Sequence, residues 1–317
     1  ICALQKHRKT VLERLQELGW VEICLEPEET EAFPRTDTAG ARNAFQKRMH
    51  LADQALEILD RYAPEKKPML HSLEGKPLLE GSIYDHVAVN RSEYSRTANT
   101  LIQLDQELQT QRTNVQKMKL QIEEMQPWMK LDVPMIRPGT KRCDFFVGTL
   151  PAPYTEKEIR SFLSAENETL SLYTIQILSA ARDGTYLAVI CMKEETKELE
   201  HALRNHGFAR PSQLLDQPPE EKRKQLEQRI RDAEESIVGL EKQIRELQGE
   251  REHLRLMSDY YRVRTEKYEV LGQLPQTRAA FALAGYVPAK VAGPLAAELT
   301  ERFAASVDVE RIPEEEQ

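Results

Sequence analysis

Leu226-Glu227-Gln228-Arg229-Ile230-Arg231-Asp232-Ala233-Glu234-Glu235-Ser236-Ile237-Val238-Gly239-Leu240-Glu241-Lys242-Gln243-Ile244-Arg245-Glu246-Leu247 decides the fold. Its apolar residues, Leu226, Ile230, Ala233, Ile237, Leu240, Ile244 and Leu247, fall at alternating steps of four and three, and Leu254 and Tyr261 continue the series. A 3.5-residue period keeps one narrow stripe facing a partner helix. A second seam of the same kind lies upstream: Tyr94, Leu101, Leu104, Leu108, Val115, Met118, Ile122 and Met125. Neither helix can bury its stripe alone, so each is the obvious partner of the other. The reading is a long antiparallel hairpin with a compact lobe at its tip.

Composition suits that shape. Of 317 residues, 40% are hydrophobic and 30% charged, with 13 Gly, as in elongated helical proteins with a high ratio of surface to core. The length allows two or three domains. A net charge of −8 argues against duplex binding, which needs a concentrated basic face. Charges of both signs alternate along the helices, the pattern of a solvated surface. Cys2, Cys24, Cys143 and Cys191 form no Cys-x-x-Cys pair and read as reduced thiols of a cytosolic protein. His201 and His206 do not share a helix face, so no metal signature arises. No apolar run approaches the ~20 residues that span a bilayer, and no signal peptide is present. Ile1 in place of a Met, and the acidic Pro313-Glu314-Glu315-Glu316-Gln317 tail, suggest an excised fragment.

The flanks and the centre change period. Ile1 to Ala3 reads as the end of a strand, Leu4 to Leu18 as an amphipathic helix stopped by Gly19, and Trp20 to Leu25 as a strand. Glu26 to Gly40 is an acidic connector. Ala41 to Tyr62 is a second helix with Phe45, Met49, Ala52, Leu56 and Leu59 on one side, stopped by Pro64 to Pro68. Met69 to Asn90 reads as a loop or broken helix, and Pro134, Pro138 and Gly139 mark a boundary. Between Cys143 and Leu215 the order is β-α-β-β-α-β, that of a ferredoxin-like lobe. Its strands are Asp144–Leu150, Leu170–Leu178, Tyr186–Met192 and a short one at Phe208–Arg210; Asp183-Gly184 makes a turn. Its helices are Thr155–Ala165, opened by a Thr155/Glu158 capping box, and Glu194–Asn205. After the second heptad helix (Pro219 to Leu271), Ala280–Val287, Val291–Phe303 and Val307–Ile312 form a β-α-β that mates with the N-terminal one. Trp20, Phe281 and Tyr286 are expected in its core, and Phe145, Phe146 and Phe208 in that of the central lobe. By length, the two upstream helices pack end to end along the one long downstream helix.

Catalytic signatures are missing. The sequence contains no Gly-x-x-x-x-Gly-Lys loop, no Gly-x-Gly-x-x-Gly, no His-Glu-x-x-His and no nucleophile elbow. Acidic pairs such as Glu234/Glu235 diverge by ~100° on a helix and cannot converge as acid–base dyads. An enzyme is not expected, nor a cofactor. Gln111, Arg251, Ser258 and Thr265 interrupt the seams. They either fix register and permit bending or mark where the bundle gains or loses a helix; the second reading is preferred.

Tyr268-Glu269-Val270-Leu271-Gly272, followed by Phe281-Ala282-Leu283-Ala284-Gly285-Tyr286-Val287-Pro288-Ala289-Lys290, resembles the end of the soluble half of subunit I, the homologue of subunit a, of the rotary V/A-type ATPases. The family-like core of this motif is Gly285, Tyr286, Val287 and Pro288. The resemblance extends to the organisation of the whole chain. It implies an α+β fold: a proximal lobe (1–40 and 273–317), a coiled-coil rod (41–139 and 216–272) and a distal lobe (140–215). It further implies a non-catalytic stator on the cytoplasmic side of the membrane, anchored by a C-terminal membrane domain outside this chain. That stator would resist torque during proton or sodium transport. Implied partners are peripheral stalk subunits E and G at both lobes, the rotor-cap or collar subunit near the distal lobe, and the membrane sector, with no nucleic acid and no small-molecule substrate. Two rivals are a generic coiled-coil tether, such as a chromosome-associated arm, and a tRNA-binding helical arm. The first predicts a parallel dimer or an ATPase head, the second a basic hairpin.

Overall fold

A computed structural model of the protein describes residues 1–24, 36–65, 81–182 and 184–311. It is an α+β protein with long helices. In chain order the elements are β1 (Cys2–Leu4), a 3-10 turn (Gln5–His7), α1 (Arg8–Leu18), β2 (Glu22–Cys24), α2 (Ala39–Tyr62), α3 (Gly81–Met125), β3 (Cys143–Leu150), α4 (Glu156–Glu166), β4 (Tyr173–Ala181) and β5 (Gly184–Met192). Then follow α5 (Thr196–Asn205), α6 (Pro219–Glu246), a 3-10 turn (Leu247–Glu250), α7 (Arg251–Gln273), β6 (Ala280–Ala282), β7 (Ala284–Tyr286) and α8 (Ala289–Phe303). Two compact units result: residues 1–105 with 243–317, and residues 106–242.

In the first unit the chain's two ends build one small lobe. β1 pairs antiparallel with β6 and β2 with β7, while Cys2 bridges Ser306 beyond α8. Strand alternation sends Ala3, Phe281 and Leu283 to one side, where Val11, Leu12 and Leu15 of α1 and Leu295, Leu299 and Phe303 of α8 close over them. Each such large apolar side chain contributes about 1.5–3 kcal/mol by leaving water. An Arg14–Glu298 ion pair of 2.6 Å ties α1 to α8. Gly19 ends α1 in the left-handed region (φ 63°), donating its N–H to the Leu15 carbonyl at 3.0 Å. α2, the start of α3 and α7 share a second core, in which Ala52 meets Val87, Tyr94, Met257, Tyr260 and Tyr261.

The second unit holds a three-stranded antiparallel sheet of order β3-β5-β4, extended at the free edge of β3 by a single bridge, Thr149 to Ala209. α4 and α5 cover one face through Ile159, Leu163, Leu199 and Leu203. Trp128, Leu131 and Met135 cover the other, on Val147, Leu178 and Ala188. The Thr155/Glu158 capping box forms in full. The C-terminal part of α3 packs Val115, Met118 and Met125 against Leu226 and Ile230 of α6.

Several expectations fail for physical reasons. Leu4 ends β1, and helix begins only after it, because the β1–β6 pairing claims its backbone. Residues 81–90 are helical, so α3 starts well before the expected heptad stretch. α2 and α3 share a core with α7, so they are not stacked end to end along it. The long downstream helix is broken by the 3-10 turn at Leu247–Glu250, which contains Gly249. The expected strands at 208–210 and 307–312 reduce to bridges at Ala209 and Ser306. Trp20 and Tyr286, expected in the core, are exposed, whereas Phe281 is buried. The connector at 26–40, the proline stop at 64–68, the 69–90 segment, the Asp183-Gly184 turn, Leu25, Ile312 and the acidic tail lie wholly or partly outside the described residues.

Gly285 sits where β2 comes closest: a Cβ there would lie 2.6 Å from the Glu22 carbonyl oxygen. Gly285→Val should therefore destabilise the terminal lobe by about 1–3 kcal/mol, the usual penalty of overpacking. Urea unfolding would show it as a lower midpoint, and an unchanged midpoint would contradict this contact.

Candidate functional site

The candidate site is the pair of helix–helix seams. On α2, Asp53 and Asp60 are seven residues apart; on α7, their partners Ser258 and Arg251 are seven apart in the opposite sense. Ser258 donates its hydroxyl to Asp53 at 2.5 Å, and Arg251 binds Asp60. Eleven residues, or three turns, along both helices, Arg42 approaches Glu269 at 4.0 Å in the same register. The second unit repeats the device. Arg112 meets Glu241 at 2.8 Å and Lys119 meets Glu234 at 2.9 Å, again seven residues apart on each helix and antiparallel.

Exposed pairs of this kind contribute only about 0–1 kcal/mol each, so the apolar seam supplies the stability and the pairs select its register. Leu101, Leu108, Val115, Met118, Leu226, Ile230, Leu240 and Ile244 are buried. Leu104, Ile122, Ile237 and Leu247 are half-buried, Leu247 lying in the 3-10 turn. Of the motif residues, Gly285, Tyr286 and Pro288 are exposed, Pro288 at the N-cap of α8, and Val287 packs against the terminal core.

Arg251 is a charged group enclosed in the helical core, with its side chain only 4% exposed. Its guanidinium donates to the Ala63 carbonyl at 2.6 Å, pairs with Asp60, and lies 3.4 Å from Glu65. It thus caps the carbonyl end of α2, where the helix dipole favours a cation. Arg255 donates to Glu65 at 2.5 Å and holds that carboxyl below the usual carboxylate range. The seam interruptions at Arg251 and Ser258 therefore mark the arrival of α2. Thr265 instead bonds the Tyr261 carbonyl of its own helix at 2.8 Å. Gln111 lines a polar groove of about 550 Å³ between α3 and α6, with Asn114, Arg229 and Asp232. Reading the sequence for apolar periodicity missed Asp53, Asp60 and Glu65. The signal was the seven-residue recurrence of acids on α2, matched by that of Ser258 and Arg251.

Among the described residues no cluster of His, Cys, Asp or Glu could hold a metal ion, and no helix is long and apolar enough to cross a membrane. No protein-family profile matches the sequence, and no curated protein matches it either. Among solved structures, the chain is similar to one described as the cytoplasmic N-terminal domain of subunit I, homolog of subunit a, of V-ATPase. That match has 18% identity, covers 95% of this chain and 96% of that one, and has a TM-score of 0.48.

Two outcomes are expected. Arg251→Met should cost about 1.5–3 kcal/mol, the range for hydrogen bonds to charged groups, because the Ala63 carbonyl, Asp60 and Glu65 lose their shared donor. Lys119→Ala should cost below about 1 kcal/mol; urea unfolding separates the two. The second outcome concerns acid. Folded carboxyls held low, Glu65 by Arg255 and Glu298 by Arg14, add stability above the unfolded carboxylate pKa of about 4.3 and lose it as pH falls through their folded values. The melting temperature should stay level from about pH 7 to 5 and drop below about 4.3. Glu65→Gln should flatten part of that drop.

Proposed function

We propose that this chain is the cytoplasmic part of a stator subunit of a rotary V/A-type ATPase, a mechanical strut without catalytic residues. The observation that carries this reading is the pairing of matched antiparallel seams with a strand end at Gly285-Tyr286-Val287-Pro288 that resembles the end of that family's soluble half. On this reading the helices form a hairpin rod (41–139 and 216–272). A split proximal lobe (1–40 and 273–317) and a distal lobe (140–215), both ferredoxin-like, would close its ends. Supporting the lobe assignment, the three-stranded order β3-β5-β4 with the Ala209 bridge, and the Ser306–β1–β6 and β2–β7 pairings, suit the β-α-β-β-α-β topology.

The mechanism is resistance to bending. Rotor torque on a membrane sector must be met by a stator, and bending a seamed helix pair parts packed side chains over many turns. The registered pairs add resistance to sliding, the other mode of yielding, since each cation must leave its carboxylate before it can reach the next one along the helix. In this proposal the lobes dock peripheral stalk subunits E and G, the distal lobe also lies near the rotor-cap subunit, and a membrane domain outside this chain anchors the strut on the cytoplasmic side.

Mixing the chain with purified stalk heterodimer, and separately with a chain lacking residues 140–215, tests the reading. The account expects the intact chain to retain the heterodimer on a size-exclusion column and the shortened chain to retain less. No complex with the intact chain would defeat it.

A further inference from the structure

β4 ends the sheet of the second unit on one side, since the strand order is β3-β5-β4. Among the described residues its backbone pairs with β5 and with no other segment. An edge left this way presents a row of N–H and C=O groups that only water or another strand can meet. Natural edges are blunted by charge, by proline or by a bulge. β4 (Tyr173-Thr174-Ile175-Gln176-Ile177-Leu178-Ser179-Ala180-Ala181) holds no charged residue and no proline, and its bulge falls between Ile177 and Ser179. Tyr173 to Ile177 is therefore an unbroken, unguarded run of mostly strand-favouring residues.

Alternation gives that run two faces. Ile175 is buried in the core beneath α4 and α5, while Tyr173 and Ile177 pack against the same core only in part. Thr174 and Gln176 are exposed, on the other face. An antiparallel copy centred on Ile175 sets Ile175 opposite Ile175, Tyr173 opposite Ile177 and Thr174 opposite Gln176. Apolar residues then meet apolar ones and polar meet polar, with the aromatic–β-branched pairs that favour such ladders. A two-fold axis normal to the sheet also keeps both helix layers on one side. Two three-stranded sheets thus join into one, and Tyr173 and Ile177 gain cover that a bare peptide would not bring.

We propose that the edge of β4 is a self-recognition surface, pairing two copies of this chain antiparallel through Tyr173–Ile177. So short a run makes a small interface, and the dimer is weak and reversible. The proposal is independent of the stator reading, and it leaves the Lys119–Glu234 pair within each chain.

Sedimentation velocity on the full chain, from about 10 μM to about 1 mM, tests it. The expected result is a shift from monomer towards dimer across that range. Thr174 and Gln176 are exposed, so both can be changed without touching the core, and an unchanged melting temperature checks that each variant folds. Thr174→Lys with Gln176→Lys sets Lys opposite Lys at both positions and should weaken self-association at least about tenfold. Thr174→Glu with Gln176→Glu should do the same. Mixed in equal amounts, the two variants should pair again, Lys against Glu. A chain that stays monomeric at about 1 mM overturns the proposal. So does a dimer that survives the paired lysines, or a mixture of the two folded variants that stays monomeric. A monomeric chain whose binding of stalk heterodimer is lost with the paired lysines also overturns it, by giving the edge to a foreign strand.

Discussion

A heptad stripe on one helix is stable in water only when a second helix covers it, and the cover must keep the same period over its whole length. Here that constraint is met twice. α7 turns Leu254, Met257 and Tyr261 inward, the last two into a shared core with Ala52 of α2, while α3 and α6 close over Val115, Met118, Leu226 and Ile230. In each pair, charged or polar partners recur at seven-residue steps on both helices. Apolar burial sets how strongly the helices adhere; the polar recurrences set where.

The lobes depend on that pairing in different ways. The terminal lobe draws β1 and β2 from one end of the chain and β6 and β7 from the other, so it can close only when the intervening residues return the chain to its start. The lobe of the second unit is contiguous in sequence, with a Thr155 capping box and a β4–β5 hairpin that form from local contacts. Such local contacts form with little loop-closure cost, whereas pairing residues about 280 apart in the chain requires closing a long loop.

Much of this was legible in the residues because period carries it. The seams, the Gly19 stop, the capping box and the N-terminal β-α-β are all local patterns with one physical solution. What was not legible depends on neighbours distant in sequence. Asp53 and Asp60 read as solvated charge until Ser258 and Arg251 lie opposite them. Tyr286 and Trp20 read as core because aromatic residues favour burial, but strand register puts Tyr286 on the open face. The overlap of α2 with α3 escaped a length argument, since lengths alone cannot say whether helices lie side by side. The 3-10 turn at 247–250 left only Gly249 as a trace, within an otherwise continuous apolar period.

The strut account rests on an antiparallel, intramolecular seam, and zero-length carbodiimide coupling with peptide mapping reads it directly in the unaltered chain. Lys119 and Glu234 are 2.9 Å apart. The account predicts an amide between those two side chains within a single, monomeric chain. Coupling of Lys119 to a carboxylate of a second chain, or to Glu227 or Glu241 one heptad out of register, would contradict it.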